Sequence, residues 1–194
     1  MKLSRLFDAT AYKGTEKYLD TQKIYELVRT IVLFGISLSL YLAGYIQTKQ
    51  QANLLTIVAV LGCLPASKSL VSFIMFARYR SCSKDTVEQI KEHIGSLQGV
   101  YDCVFTSYKI NFDVDHLTVC GNILCGYSEK KDFPEQEFQK HLSDILKLDG
   151  HKDLTIKIFT QLNKYLDRLD QMQELEQNES QTIGILESVK NITL

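Results

Sequence analysis

The sequence predicts a mixed domain, α+β or α/β with element order α-β-β-(β)-α-β-α, attached to an N-terminal two-helix transmembrane hairpin. Three observations predict it. Two apolar runs lie close together before residue 80, the chain after residue 84 alternates helical and extended patterns, and charge divides sharply between the two halves. Residues 1–83 hold 10 Lys and Arg against 4 Asp and Glu, a net of +6, while residues 84–194 hold 12 against 19, a net of −7. Four regions follow: a cytosolic amphipathic segment over 1–29, the hairpin over 30–80, the mixed domain over 84–178 and a tail over 179–194.

Residues 15–29 set Tyr18, Ile24, Tyr25, Leu27 and Val28 among charges, the pattern of an amphipathic helix leading into a membrane. The charged lead with its acids, and the second apolar run, argue against a cleaved signal peptide. Residues 30–46 carry no charge and are long enough to cross a bilayer with Tyr41 and Tyr45 near one interface. Residues 47–51 form a short polar link, and residues 53–77, with Pro65 and Lys68 inside, cross back. Lys13, Lys17, Lys23, Arg29, Arg78, Arg80 and Lys84 flank the open end of the hairpin, against Lys49 alone in the link. Both termini are therefore expected in the cytoplasm of a multi-pass protein of the cell membrane, with the lipid bilayer as its first partner.

After the hairpin, apolar residues at Val87, Ile90, Ile94 and Leu97 predict a helix over 85–98, opened by Asp85-x-x-Glu88 and stopped by Gly99. Residues 100–110 read as a strand, and 117–127 as an extended region with a tight turn at Gly121-Asn122. Pro134 opens a helix through Phe138, Leu142, Ile145 and Leu146 that Gly150 closes. Residues 154–159 alternate as a strand, and Leu162, Tyr165, Leu166, Leu169 and Met172 mark a last helix.

Five cysteines at irregular spacing do not make a disulfide framework, and a reducing compartment leaves them as thiols. Cys120 and Cys125, at an odd offset on an extended segment, should point to opposite faces. His116, His141 and His151 have no metal-ligand spacing, and no Ser-His-Asp, phosphate-loop or dinucleotide pattern is present.

Within the hairpin, small residues recur every fourth position: Gly35, Ser39 and Ala43 on the first helix, Ala59, Cys63 and Ser67 on the second. Such stripes allow close backbone approach in lipid, packing the hairpin on itself or building a homo-oligomer. Lys68 would sit well inside the hydrocarbon, at a cost of about 2.5–3.5 kcal/mol. It either snorkels to the cytosolic headgroups, helped by a break at Pro65, or contacts an ion, lipid or second subunit.

In the domain, Asp113-Val-Asp115-His116 is followed, after the Gly121-Asn122 turn, by Glu129-Lys130-Lys131. This resembles the core signature of the restriction-endonuclease-like nucleases, an Asp on one strand and Glu-x-Lys on the next. The resemblance implies that Asp115 and Glu129 hold Mg²⁺, that Lys131 steadies the charge of the reaction and that Glu88 assists. Read from the residues alone, 128–132 form a solvated charged loop, and a domain of net −7 disfavours nucleic acid. Leu64-Pro65-Ala66-Ser67-Lys68, together with the layout of the chain, resembles small membrane proteins of low-GC Gram-positive bacteria that pair a helix hairpin with a short cytosolic domain. That resemblance implies the architecture and no activity. Two functions remain in view. The first is an interaction or regulatory module, oligomeric and without cofactor, whose acidic domain binds a protein or stays close to the membrane surface. The second is a membrane-tethered, metal-dependent nuclease.

Overall fold

The structure, a computed structural model, describes residues 12–50, 53–151, 154–175 and 178–194. It divides into two compact units, one taking in Leu19–Arg80 and the other Tyr12–Tyr18 with Ser81–Leu194. The first eleven residues of the predicted N-terminal segment lie outside the described residues.

The first unit is a helical hairpin. The predicted amphipathic lead and first span are one uninterrupted helix, α1 (Tyr18–Thr48), followed by α2 (Leu54–Ala77). Asn53 caps α2 by accepting the Thr56 N–H, and its amide donates to Thr48 Oγ1, which closes the turn. Pro65 lies inside α2 without ending it. Both helices are long and apolar enough to cross a membrane. They meet along a seam of small or polar side chains: buried Thr30, Ser37, Ala59, Ala66 and Ser69, with Gly44 and Gly62. The approach is close, since a Cβ on Gly62 would stand 2.6 Å from Ser37 Oγ, and one on Gly44 2.8 Å from Leu55 Cβ. Thr30, Ser37 and Gly44 are seven apart, as are Ala59 and Ala66, so the seam has the 3.5-residue period of a coiled coil.

The second unit is a four-stranded sheet, β1 (Gln98–Thr106), β2 (Asn111–Cys120), β3 (Ile123–Tyr127) and β4 (Thr155–Phe159), in spatial order 1-2-3-4. The first three strands form an antiparallel meander and β4 joins β3 in parallel. A parallel neighbour requires a crossover, and α4 (Glu135–Leu148) supplies it. The strand expected over 100–110 ends at Thr106 and β2 begins at Asn111, six residues before the expected 117–127 region, which a tight turn at Gly121, φ +55°, divides between β2 and β3. α3 (Lys84–Ile94) is shorter than the predicted helix and starts from a different cap. Ser83, not Asp85, is that cap, accepting the Thr86 N–H, and Gly95 at φ +51° stops the helix before Gly99 is reached. α5 (Leu162–Gln173) falls where expected.

The segment read as a tail is corrected to a helix, α6 (Glu179–Ile192), whose Ile185, Leu186 and Val189 are buried in the main core. That core lies on one face of the sheet, where α4 and α6 cover Phe105, Phe112, Val114, Leu117 and Leu124. A second apolar cluster on the other face joins Tyr101, Cys120, Cys125 and Tyr127 to α3 and α5 through Val87, Ile90, Tyr165 and Leu169. Cys120 and Cys125 therefore share a face, because the turn between them reverses the chain and cancels the odd offset. All five cysteines are free thiols.

Candidate functional site

The most chemically loaded part of the domain is a reversal in the sheet's pleat. Along a regular strand, residues two apart share a face. Yet Tyr101 packs with α3 and α5 while Cys103 belongs to the opposite core, and on β2 Val114 and His116 part in the same way. The register pairs Tyr101 with His116 and Cys103 with Val114, so Asp102 and Asp115 stand opposite each other where both strands turn over. Asp102 makes the reversal with φ +55°, a left-handed conformation that Asp tolerates better than branched residues.

These two carboxylates, 4% and 9% exposed, anchor the segments around them. Asp102 Oδ1 accepts the Cys82 N–H at 2.9 Å, which ties the stretch just before α3 to the sheet. Asp115 Oδ2 accepts the Glu129 N–H at 2.7 Å, which fixes the loop leaving β3. The Glu129 carboxylate in turn accepts the Thr86 hydroxyl at 3.0 Å, from the first turn of α3. Beside them Ser128 donates its hydroxyl to the Asp113 carbonyl at 2.7 Å, and Lys130 pairs with the Asp113 carboxylate at 3.2 Å.

Electrostatics follow from this crowding. Burial raises the Asp115 carboxyl to a pKa of about 7; the Glu129 N–H opposes the shift, and the Asp113, Glu129 and Asp102 carboxylates add to it. Burial, then the charges of Glu129 and Asp115, push Tyr127 up to about 12. Burial and the same carboxylates push the Cys82 thiol up, away from reactivity. Near neutral pH the Asp115 carboxyl is in the middle of its titration, within a set of bonds joining sheet, helix and two connecting loops.

Asp115 and Glu129, picked out in the sequence, are brought together, but Lys131 and Glu88 are not part of their network: both are exposed, and Lys131 sits in the turn past β3. A Glu-x-Lys motif needs strand geometry to aim its two side chains the same way, and β3 ends at Tyr127. Among the described residues no three His, Cys, Asp or Glu are grouped to hold a metal ion. Mg²⁺ is held by carboxylate oxygens with open lone pairs in near-octahedral space. Here one oxygen of each carboxylate is already spent on an internal hydrogen bond. Sequence reading missed Asp102, Thr86 and Ser83; an Asp inside the otherwise apolar run Val100-Tyr101-Asp102-Cys103-Val104-Phe105 was the available signal.

In the hairpin, the stripes resolve differently from their spacing. Gly35, Ser39 and Ala43 are exposed, and an added Cβ at Gly35 would touch nothing within 4 Å. Of the second stripe Ala59 lies in the seam, Cys63 is half-buried and Ser67 is exposed. The serines need no partner copy to satisfy their hydroxyls, because Ser39 donates to the Gly35 carbonyl and Ser67 to the Cys63 carbonyl, each at 2.8 Å. Lys68 is exposed, while its neighbour Ser69 is buried against α1. Ser69 donates to the Glu26 carboxylate at 2.6 Å, and that carboxylate also receives Gln22 at 3.1 Å and Arg29 at 3.0 Å. An acidic residue therefore does face α2, on the stretch of α1 that precedes the uncharged run. Lys68 stands level with that charged stretch rather than with its apolar middle.

Comparison with known proteins finds no matching family model, no matching curated sequence and no matching solved structure.

Proposed function

We propose that this protein is a membrane-anchored docking module: α1 and α2 cross the bilayer as a hairpin, both termini lie in the cytoplasm, and the mixed domain presents itself there to a protein partner. The observation that carries the anchoring is the exposure of large apolar side chains. Among the described residues, twenty such side chains are exposed on α1 and α2, from Ile24 to Met75, against five elsewhere. A water-soluble protein rarely shows contiguous apolar patches beyond a few hundred Å², whereas lipid accepts them on every side. The basic flanks of the helices support the orientation, drawn to the cytoplasmic side by the rule of retained positive charge.

A docking role agrees with the chemistry of the pleat reversal, whose carboxylates are spent on holding loops in place. The element order α3-β1-β2-β3-α4-β4 keeps the nuclease alternative in view, since the restriction-endonuclease-like nucleases it resembles have an α-β-β-β-α-β frame. One experiment separates them. Full-length protein in nanodiscs is incubated with DNA and with RNA in Mg²⁺ or Mn²⁺, and photo-crosslinkers at exposed positions of the domain are activated in intact cells. The docking reading expects no cleavage and discrete adducts with a second protein. Cleavage lost in Glu129→Ala, or adducts with lipid alone, would overturn it.

A further inference from the structure

The chain carries basic residues where the two long helices end, and the fold gathers three of them around one concavity. On α3, Lys84, Val87, Glu88 and Lys91 have the spacing that puts residues on one face of a helix. The residues just before α1 stand across from that face, because the domain holds them in place. The Gly14 carbonyl accepts the Tyr101 N–H at 2.9 Å, Lys13 Nζ donates to the Thr193 carbonyl at 2.6 Å, and Glu16 pairs with Lys91 at 2.6 Å. Between the two lies a concavity of about 100 Å³, lined by Glu16 and Lys17 on one side and by Lys84, Glu88 and Lys91 on the other, with buried Cys82 and Val87. All of these residues belong to the second unit.

The apolar surface of the hairpin marks where lipid headgroups begin. Among the described residues, exposed large apolar side chains run from Ile24 to Ile46 on α1 and from Leu54 to Met75 on α2. At about 1.5 Å per residue these stretches are about 33 and 32 Å long, the thickness of one hydrocarbon core of about 30 Å. The headgroup layer adds about 5–8 Å beyond the core. Tyr18, where α1 begins, is six residues or about 9 Å along the helix from Ile24. Lys17 is bonded directly to Tyr18, and its flexible four-carbon stem covers the remaining distance. The wall of the concavity that Lys17 forms is therefore joined to the hairpin within reach of the headgroups.

We infer that this concavity holds the headgroup of a phosphatidylethanolamine from the adjoining leaflet. Its lining carries both signs of charge, as that headgroup does. The Lys17 and Lys84 ammonium groups donate to the phosphodiester, and the Glu88 carboxylate accepts the primary ammonium. A headgroup with negative charge alone brings no cation to Glu88. A choline headgroup has no N–H for Glu88 and meets no aromatic ring in the lining. This inference rests on the anchoring part of the proposed function and adds to it a lipid that the domain itself recognises.

The test is native mass spectrometry of the full-length protein in detergent, which counts bound lipid as phosphatidylethanolamine, phosphatidylcholine or phosphatidylglycerol with the same acyl chains is added. The ethanolamine lipid should bind about tenfold or more tighter than either of the others, the worth of one charge-assisted hydrogen bond. Glu88→Gln should erase that preference, and Lys17→Ala/Lys84→Ala should weaken the ethanolamine lipid by about tenfold or more. All three side chains are exposed, so the substitutions leave the fold in place. Glycerophosphoethanolamine, the same headgroup without acyl chains, should bind far more weakly than the lipid. Equal binding of the three lipids, no binding, a preference that survives Glu88→Gln, an unchanged affinity in the lysine variant, or equal binding of glycerophosphoethanolamine overturns the headgroup site. If after such a result the protein still resists alkaline extraction from cell membranes, the anchoring reading survives without the site; if it washes out, both fall.

Discussion

Asp115→Asn is expected to stabilise the domain at pH 8 and to flatten its loss of stability with rising pH. The Asp115 carboxyl titrates near 7 in the folded chain against an ordinary value of 3.8. Between those values the folded state holds a proton that the unfolded chain has released. Stability therefore falls as pH rises through this window, by at most about 4 kcal/mol, because each tenfold difference in proton affinity between the two states is worth about 1.4 kcal/mol. Asparagine keeps the oxygen that accepts the Glu129 N–H and removes the charge that faces Asp102. Thermal melts of the full chain in detergent, followed by circular dichroism from pH 5 to 8, check it. The wild type should lose several degrees over that range, and Asp115→Asn should lose less and melt higher at pH 8. Parallel curves, or a variant that melts lower at pH 8, would remove the acidic reversal as a pH-dependent element.

Glu26→Ala is expected to loosen the hairpin. The Glu26 side chain is 6% exposed and accepts three donors, from Gln22, Arg29 and Ser69. Its removal leaves those donors in a poorly hydrated seam, and breaking a buried pair on one side costs about 3–5 kcal/mol. The lower end applies, since the Arg29 side chain keeps 30% of its exposure and can turn to water. Glu26→Gln keeps one of the two acceptor oxygens, enough either for Ser69 or for Gln22 with Arg29, and should lose roughly a third to a half as much. Titration with SDS, read by the fluorescence transfer between labels on α1 and α2, gives both losses. An Ala variant as resistant as the wild type would show that the small-residue seam holds the hairpin unaided.

Much of the architecture was legible because its signals are local. The two spans need only length and apolarity, and in the domain Gly121 and Pro134 mark a tight turn and a helix start by their own backbone chemistry. What was lost depends on tertiary context. A four-residue stripe is easy to see in Gly35, Ser39 and Ala43, but antiparallel helices that follow each other for several turns select a 3.5-residue period, and Thr30, Ser37 and Gly44 occupy it. α6 escaped notice although it has as many apolar residues as α4, because its burial comes from a sheet that residues far upstream build. At the site, Asp115 and Glu129 were legible as a pair. The αL turn at Asp102, the cap at Ser83 and the hydroxyl of Thr86 were not, since each acquires its role only when β1, β2 and α3 meet.

The central claim is that the hairpin crosses the membrane with the domain on the cytoplasmic side, and site-directed labelling tests it most directly. A membrane-impermeant maleimide is applied to intact cells carrying either Gln50→Cys, in the exposed turn between α1 and α2, or Tyr108→Cys, at the fully exposed tip between β1 and β2. The account predicts that Gln50→Cys is modified from outside and that Tyr108→Cys is modified only after the membrane is opened. Labelling of Tyr108→Cys in intact cells, or protection of both positions until lysis, would contradict it.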